Sequence, residues 1–335
     1  MTAGTKQKQE VGGSFFYVQA VDNLLLSGKT KRLEVGECTI ATRRSMMHLV
    51  RSAAKWSELP KGWAESSALD SETFIATACK VKPSAILPAA EQRCREALWV
   101  LAGTMLYFSP RSKVRSFGLR GDVSTFSSEA TLLCTNRRGF HQNWEHRGSL
   151  IPQALESRWW RYFKQRKLAK FLSFTNDPGI SKKWKQTLWR SASLVGRSRQ
   201  SESRAEAFLY QMFALEALVL TRGDPQRSTL AKRLCGLLYG HADTAEIEWL
   251  YGIRCEVVHD GNYSAVTPEA LHAADYYALN TVWNAATQRR HWSNKQEFKC
   301  YCSRKFESKR PPSARMGLRV TYKRFNSKDY ALRLP

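Results

Sequence analysis

The sequence predicts an α+β protein in which a mixed α/β or β-rich N-terminal domain, residues 1–154, precedes a C-terminal α-helical bundle, residues 155–287. Short apolar runs broken by glycine dominate the first part, which is typical of strands. Apolar residues spaced by three and four, with clear helix start and stop signals, dominate the second. The 43% hydrophobic content provides enough apolar surface for packed cores. Residues 288–335 are predicted to be a weakly structured basic tail.

The N-terminal domain begins with strand-like sequence. SFFYVQAVDNLLLSG and RLEVGECTIAT predict short strands broken at Gly28 and Gly36. Helical patterning follows in RRSMMHLVRSAAKWSEL and again in AAEQRCREALWVLAGTMLYF. In the second of these, apolar residues recur on one helical face, which predicts a buried helix.

Four helices are predicted in the C-terminal bundle. RAEAFLYQMFALEALVL forms the first, which the following GDP sequence ends. Ser228 is predicted to cap the second helix, and Asp243 or Thr244 the third, with Gly261 beyond its end. Thr267-Pro268 opens the fourth helix, because proline at the first helical position loses no hydrogen bond. Short connections between these helices predict an antiparallel bundle.

The formal charge of +24 is distributed unevenly along the chain. Residues 155–200 carry +10 and residues 288–335 carry +11, whereas residues 1–154 carry +8 and residues 201–287 carry −5. This distribution favours two basic flanks that collect a polyanion over a uniformly solubilising surface. Nucleic acid is the commonest polyanionic partner, because lysine and arginine release condensed counterions when they bind phosphates.

Aromatic residues alternate with basic ones in SRWWRYFKQRK and KKWKQTLWR. This composition suits phosphate neutralisation combined with stacking on bases, although a pair of amphipathic helices with solvated basic faces would look the same. The basic tail has the equivalent alternative of a terminus without a binding role. The residues predicted to bind RNA are Arg158, Arg161, Lys164, Arg166, Lys167, Lys182, Lys183 and Lys185.

Nothing in the sequence predicts a membrane span, a secretory signal, a metal site or a cofactor. No run approaches the roughly 18 uncharged apolar residues of a span, and the start MTAGTKQKQE lacks the apolar core of a signal peptide. The eight cysteines include no CxxC pair. They are expected to be thiols of a reducing compartment, so we expect a cytoplasmic protein.

An R-x4-H spacing, Arg254 and His259, lies at the predicted end of the third bundle helix. The histidine falls where the helix gives way to Asp260-Gly261-Asn262, so its ring can face solvent and substrate. With an ordinary pKa of about 6.5, an imidazole can take a proton from a ribose 2′-hydroxyl or give one to the leaving 5′-oxygen. The arginine can stabilise charge on the phosphate, and this chemistry selects RNA because DNA lacks the 2′-hydroxyl.

A structural role for this pair is the alternative. Arg254 would then form an ion pair with a carboxylate of another helix, since no acidic residue lies three or four positions away on its own. A second R-x4-H pair, Arg43 and His48, lies within an amphipathic helical pattern, where a partly buried structural histidine is the better interpretation.

Three motifs in order, AFLYQMFALEALVL, STLAKRLCGLLYG and WLYGIRCEVVHDGN, resemble the HEPN superfamily and its Apea-like branch over about residues 185–287. The resemblance implies a helical bundle that dimerises so that two R-x4-H motifs form a composite ribonuclease site, with Arg254 and His259 as the catalytic pair. Glu216 matches the acidic position of the first motif, and Arg233 the arginine of the second. Those two residues could instead form a buried ion pair that fixes helix packing.

This sequence departs from the family pattern at two positions. Cys255 stands where the family often has a polar residue, and Asp260 where a glycine commonly follows the histidine. A carboxylate beside His259 would favour the imidazolium and an acid or phosphate-binding role. Asp260 and Asn262 are therefore grouped with Glu216 and Arg233 as residues that support the site.

The sequence thus predicts a metal-independent endoribonuclease that acts on RNA as a homodimer, in defence or as a toxin, with an antitoxin or defence partner. The alternative is a non-catalytic RNA-binding or dimerising module of the same fold. A sequence-specific DNA-binding regulator has weaker support, because no helix-turn-helix signature is evident.

Overall fold

The computed structural model describes residues 15–22, 24–26, 30–54, 73–79, 83–108, 118–119, 130–134, 139–141, 153–155, 168–201, 203–288 and 291–308. Contacts along the chain define two compact units. The first contains residues 1–95 and 118–155, and the second contains residues 96–117 and 156–335. The first unit carries the β-sheet and the second is built of helices, so the chain is an α+β protein.

The first unit contains an antiparallel sheet with the strand order β3-β4-β5-β1-β7-β8, in which β6 also pairs with β1. Strands β2 and β9 form a separate parallel pair. Gly36, at φ 61°, makes the turn between β3 and β4. The strands are β1 (Phe15–Asp22), β2 (Leu24–Leu26), β3 (Arg32–Val35), β4 (Cys38–Thr42), β5 (Thr73–Cys79), β6 (Gly118–Leu119), β7 (Ala130–Cys134), β8 (Gly139–His141) and β9 (Gln153–Leu155).

Helix α1 (Arg43–Ala54) packs its apolar residues onto one face of this sheet. Met46 and Val50, one turn apart, are buried against Val18 and Phe74 of the central strands. His48 points the other way and is exposed, so the prediction of a partly buried histidine is wrong. The position lies outside the narrow apolar stripe of an amphipathic helix, which explains the difference.

The second unit is helical and includes the last half of α2 (Pro83–Phe108). Its other helices are α3 (Leu168–Leu172), α4 (Lys182–Gln200), α5 (Arg204–Val219), α6 (Gln226–Leu237), α7 (Thr244–His259), α8 (Pro268–Thr287) and α9 (Lys295–Ser308). A single 3-10 turn, Tyr263–Ala265, lies between α7 and α8.

Helix α5 is central to this unit and packs against α4 and α8, while α6 packs against α7 and α9. A buried polar network joins three of these helices, because Gln211 donates to Ser198 Oγ at 2.5 Å and also to Asp275. Tyr277 of α8 likewise donates to the buried Glu246 of α7. Hydrogen-bonded polar groups of this kind fix how helices pack.

Most of the predicted helix limits are confirmed, with one exception. Asp243 caps α7 by accepting from the Ala245 N–H at 2.7 Å, and Thr267 caps α8 before Pro268. Helix α6, however, starts at Gln226, and Ser228 lies within its first turn. Pro225 at the N-cap lets the helix begin three residues earlier than predicted, because it already has the extended backbone of a cap.

The prediction of a weakly structured tail is wrong for residues 295–308, which form α9. Ser293 and Asn294 start this helix, because both hydrogen-bond Glu297. Phe298 and Cys302, one turn apart, are then fully buried. The basic composition of the segment obscured this apolar stripe.

Among the described residues, no helix combines the length and apolarity that crossing a bilayer requires. Six cysteines among them are free thiols, namely Cys38, Cys94, Cys235, Cys255, Cys300 and Cys302.

Candidate active site

The two residues predicted to be catalytic lie on α7, whose two sides face different surroundings. Leu250, Ile253 and Val257 are buried in the bundle, and Trp249 and Glu256 are exposed. Arg254 lies at the edge of the buried side. His259 is the last residue of the helix and is exposed. Five residues along an α-helix correspond to about 140° of rotation and about 7.5 Å of rise, so the two side chains leave the helix in different directions.

Arg254 forms an ion pair with Glu216 of α5. Its Nε donates to Glu216 Oε1 at 3.0 Å, and its Nη2 donates to Oε2 at 3.5 Å. The two side chains are 16% and 19% exposed, so the pair is largely shielded from water. This two-point geometry holds the guanidinium plane in one orientation.

Two aromatic rings complete the surroundings of the guanidinium. Its Cζ lies 5.7 Å from the centre of the Tyr251 ring and 6.0 Å from that of Phe213. Phe213 precedes Glu216 by three residues, and Tyr251 precedes Arg254 by three, so each ring shares a helical face with its charged neighbour. Neither aromatic is among the site residues predicted from the sequence, although this spacing could have identified them.

Burial and the ion pair act in opposite directions on Glu216. Burial raises the pKa of its carboxyl group, and the nearby Arg254 charge and its hydrogen bond lower the pKa by less. The cost of desolvating the Glu216 carboxylate is therefore offset only in part by the Arg254 guanidinium. Burial also raises the pKa of the Tyr251 hydroxyl, which hydrogen-bonds Gln226.

The loop after His259 is held by its own hydrogen bonds. Asp260, the exposed C-cap residue, and Asn262 both donate their backbone N–H to the Glu256 carbonyl, at 3.0 Å and 3.2 Å. The Asn262 side chain donates to the Glu256 carboxylate at 3.0 Å. Asn262 thus supports the helix end that carries His259, and Gly261 adopts φ 67° between them.

Arg233 does not contact Glu216, so the prediction of an ion pair between them is wrong. Its Nη1 and Nη2 instead bind Asp224 at 2.7 Å and 3.3 Å, and Nη1 also donates to the Val219 carbonyl at 2.5 Å. The turn between α5 and α6 places the Asp224 carboxylate within hydrogen-bond distance of Arg233. Hydrogen bonds from Arg233 hold the pKa of Asp224 well below its usual range.

The predicted RNA-binding residues divide into two groups. Lys182 and Lys183 are exposed in the first turn of α4, and Lys185 is half-buried. The remaining residues of that prediction lie outside the described part of the chain, namely Arg158, Arg161, Lys164, Arg166 and Lys167. Among the described residues, no group of three His, Cys, Asp or Glu side chains is placed to hold a metal ion.

Comparison with protein family models, with curated proteins and with solved structures finds no match for this chain. A functional assignment therefore depends on the residues themselves. The structure brings Arg254 together with Glu216, and Asn262 together with Glu256. Within one chain it leaves His259 on the outer surface of α7.

Replacing Glu216 by Gln is expected to lower the free energy of unfolding by about 2 kcal/mol, because it leaves the largely buried Arg254 charge without a carboxylate. A second change, Arg254→Gln, is expected to recover most of this loss, since a neutral pair no longer buries an unpaired charge. Urea unfolding followed by circular dichroism measures both.

The exposed pair Arg227 and Glu248, at 3.8 Å, is a matched control on the same helix α7. Glu248→Gln is expected to change the free energy of unfolding by less than about 0.5 kcal/mol. Equal losses in the free energy of unfolding for Glu216→Gln and Glu248→Gln would show that burial does not strengthen the Arg254 ion pair.

Proposed function

We propose that this chain is a metal-independent endoribonuclease of the HEPN type, with Arg254 and His259 as its catalytic residues and Glu216 as a positioning residue. The observation that carries the proposal is that Glu216 holds Arg254 on the same helix whose exposed last residue is His259. An oriented cation for the phosphate and an accessible imidazole are the two groups that cleavage through the 2′-hydroxyl requires.

The hydrogen bonds to Glu216 occupy the Nε and one Nη2 donor of Arg254. A guanidinium has five N–H donors, so its Nη1 edge remains for a phosphate oxygen. In the proposed reaction the ribose 2′-oxygen attacks the phosphorus and its proton passes to a neutral imidazole. The bond from phosphorus to the 5′-oxygen breaks, and that oxygen takes a proton from an imidazolium. The products are a 2′,3′-cyclic phosphate and a 5′-hydroxyl.

A homodimer would supply the two histidines that this proton balance uses, one from each chain. The outer surface of α7 supports this part of the proposal. Trp249, Glu256 and His259 recur there at spacings of seven and three, which places them on one helical face. Trp249 on this face is 40% exposed, and Tyr263, four residues after His259, is 67% exposed. Exposed aromatic side chains are enriched in protein contacts.

The proposed setting is the cytoplasm, where such an enzyme would serve in defence or as a toxin and would need an antitoxin or defence partner to restrain it. RNA is the substrate because the reaction uses the 2′-hydroxyl. Exposed Lys182 and Lys183 and the half-buried Lys185, all on α4, are proposed to contact its phosphates.

The test is to incubate the full chain with single-stranded RNA in EDTA and to identify the product ends by mass spectrometry. Cleavage is expected to persist and to leave 2′,3′-cyclic phosphate ends, and a DNA strand of the same sequence should stay intact. Sedimentation of the same preparation is expected to give twice the chain mass of 38.3 kDa. Cleavage that EDTA abolishes and Mg²⁺ restores would contradict the proposal.

A second candidate function is a non-catalytic RNA-binding or dimerising module. The observation that favours this candidate is that Glu216 already neutralises the Arg254 charge and that the Arg254 side chain is only 16% exposed. This candidate predicts salt-dependent binding with intact RNA recovered, so the same experiment distinguishes the two functions.

A further inference from the structure

Basic side chains from three helices meet at the C-terminal end of α5. Lys295 Nζ donates to the Ala217 carbonyl at 2.5 Å, and Lys299 Nζ donates to Thr221 Oγ1 at 3.0 Å. Arg233 donates to the Val219 carbonyl in the same turn. Lys183 of α4 is close enough that its charge repels that of Lys295. We call Lys183, Lys295 and Lys299 the lysine cluster.

The lysine cluster is not balanced by acidic groups. Asp224 is the carboxylate that interacts electrostatically with Lys295, and Arg233 already binds Asp224 with two hydrogen bonds. Within the described ranges, none of the three lysines has a carboxylate within salt-bridge distance. The charges of Arg233 and Asp224 cancel, which leaves the three lysine ammonium groups without a compensating negative charge.

Keeping these charges together is unfavourable in the free protein. Lys299 is only 8% exposed, and Lys295 is half-buried. Burial, followed by repulsion from Lys299, Arg233 and Lys183, lowers the pKa of Lys295 to about 8. The carbonyl end of a helix favours nearby cations, but this effect falls off within the last turn and does not remove the repulsion among the cations themselves. A bound anion would offset the remaining charge.

The surroundings of the cluster favour an extended anion over a single small ion. The Ser181 N–H donates to the Ser293 carbonyl at 2.9 Å, which places the starts of α4 and α9 side by side. Lys182 and Lys183 are exposed in the first turn of α4, whose N-terminal end adds positive potential. Glu297, the acidic residue nearest in α9, is held by Ser293 and Asn294 and caps its own helix.

We propose that Lys183 and Lys295 of the lysine cluster bind neighbouring backbone phosphates of single-stranded RNA, and that the buried Lys299 adds positive potential behind them. This inference rests on the proposed function, from which it takes RNA as the ligand. It adds α9, which lies in the segment predicted to be a weakly structured basic tail. Ammonium groups are point charges without the planar donor pattern that distinguishes one base edge from another. The site therefore contributes affinity and position on the RNA, without sequence preference.

The test measures binding of fluorescently labelled oligouridine by anisotropy at several salt concentrations. The full chain carries His259→Ala so that the RNA stays intact. Adding Lys183→Gln and Lys295→Gln is expected to weaken binding several-fold. The slope of log K against log salt is expected to fall by about 1.4, since each phosphate contact to a single strand contributes about 0.7.

The control replaces Lys170 and Lys305, two lysines of α3 and α9 outside the cluster, by Gln. This pair of changes has the same effect on net charge and is expected to alter the slope much less. Because Lys183 is exposed, Lys183→Gln alone keeps the fold and should account for about half of the change in slope.

A second measurement uses pH, since Lys295 loses its proton above about pH 8. The affinity is expected to fall between pH 7 and pH 9, and Lys295→Gln should remove that fall. Cys302, buried beside Arg233, does not titrate in this range because burial raises its pKa to about 12.

The outcomes separate this inference from the proposed function. An unchanged salt slope in the Lys183 and Lys295 variant, in a protein whose wild type cleaves RNA, would overturn the lysine cluster alone. A lowered slope in a chain that cleaves nothing would support the cluster and overturn catalysis. Absence of RNA binding by the wild type would overturn both.

Discussion

Replacing His259 by Ala is expected to lower the rate of RNA cleavage by a factor of about 10² to 10⁴, the range typical of losing a general acid or base. His259 is exposed at the end of α7, and among the described residues no hydrogen bond or ion pair fixes its ring. Its removal should therefore leave the fold intact. A single-turnover cleavage assay measures the rate, and circular dichroism confirms that the helices persist.

The matched control is His48→Ala. His48 is also exposed, lies five residues after an arginine, and belongs to helix α1 of the other unit. Its replacement is expected to leave the cleavage rate within about twofold. Partial recovery of the His259→Ala variant by added imidazole would support a proton-transfer role. Equal rates for wild type and His259→Ala would contradict the catalytic assignment.

Replacing Gly196 by Ala is expected to lower the free energy of unfolding by about 3 kcal/mol. A Cβ at this position of α4 would overlap the carbonyl oxygen of Trp99 in α2. At the same crossing, a Cβ on Gly103 would lie 3.0 Å from the Ala192 carbonyl oxygen. The two helices meet backbone to backbone, so no side chain can move aside to make room. The midpoint of urea unfolding is expected to fall by about 1 to 2 M.

Gly252→Ala in α7 adds the same methyl group where no heavy atom lies within 4 Å of the new Cβ. Because alanine favours helix over glycine by about 1 kcal/mol, this control should keep or raise the unfolding midpoint. A fall of equal size in both variants would mean that the close approach of α2 and α4 is not what excludes alanine at position 196.

Local signals were sufficient to predict much of the helical unit. Asp243 and Thr267 cap their helices as expected, because an N-cap depends on atoms within three residues of it. Gly36 and Gly261 adopt positive φ at the turns where the sequence suggested breaks. Periodic apolar residues likewise identified α5 and α8, whose length makes the pattern clear.

The partners of charged residues could not be predicted in this way. Arg254 and Glu216 are 38 residues apart, and their contact depends on how α5 and α7 pack. The sequence suggested an ion pair for Arg254 with an unidentified carboxylate and an ion pair between Glu216 and Arg233. It did not predict that Arg254 and Glu216 pair with each other. The side chain of Arg233 is long enough to reach Asp224, which the turn between α5 and α6 brings within 2.7 Å. Which charged residues form ion pairs depends on distances that only the packed bundle defines.

The last turn of α5 has two sides. The side chain of Glu216 points to Arg254, and the carbonyls of Ala217 and Val219 accept hydrogen bonds from Lys295 and Arg233. A phosphate that recruits the Lys295 ammonium competes for donors with this same turn. If phosphate binding at the lysine cluster shifts this turn, RNA occupancy and the orientation of Arg254 are linked, and the linkage acts equally in both directions.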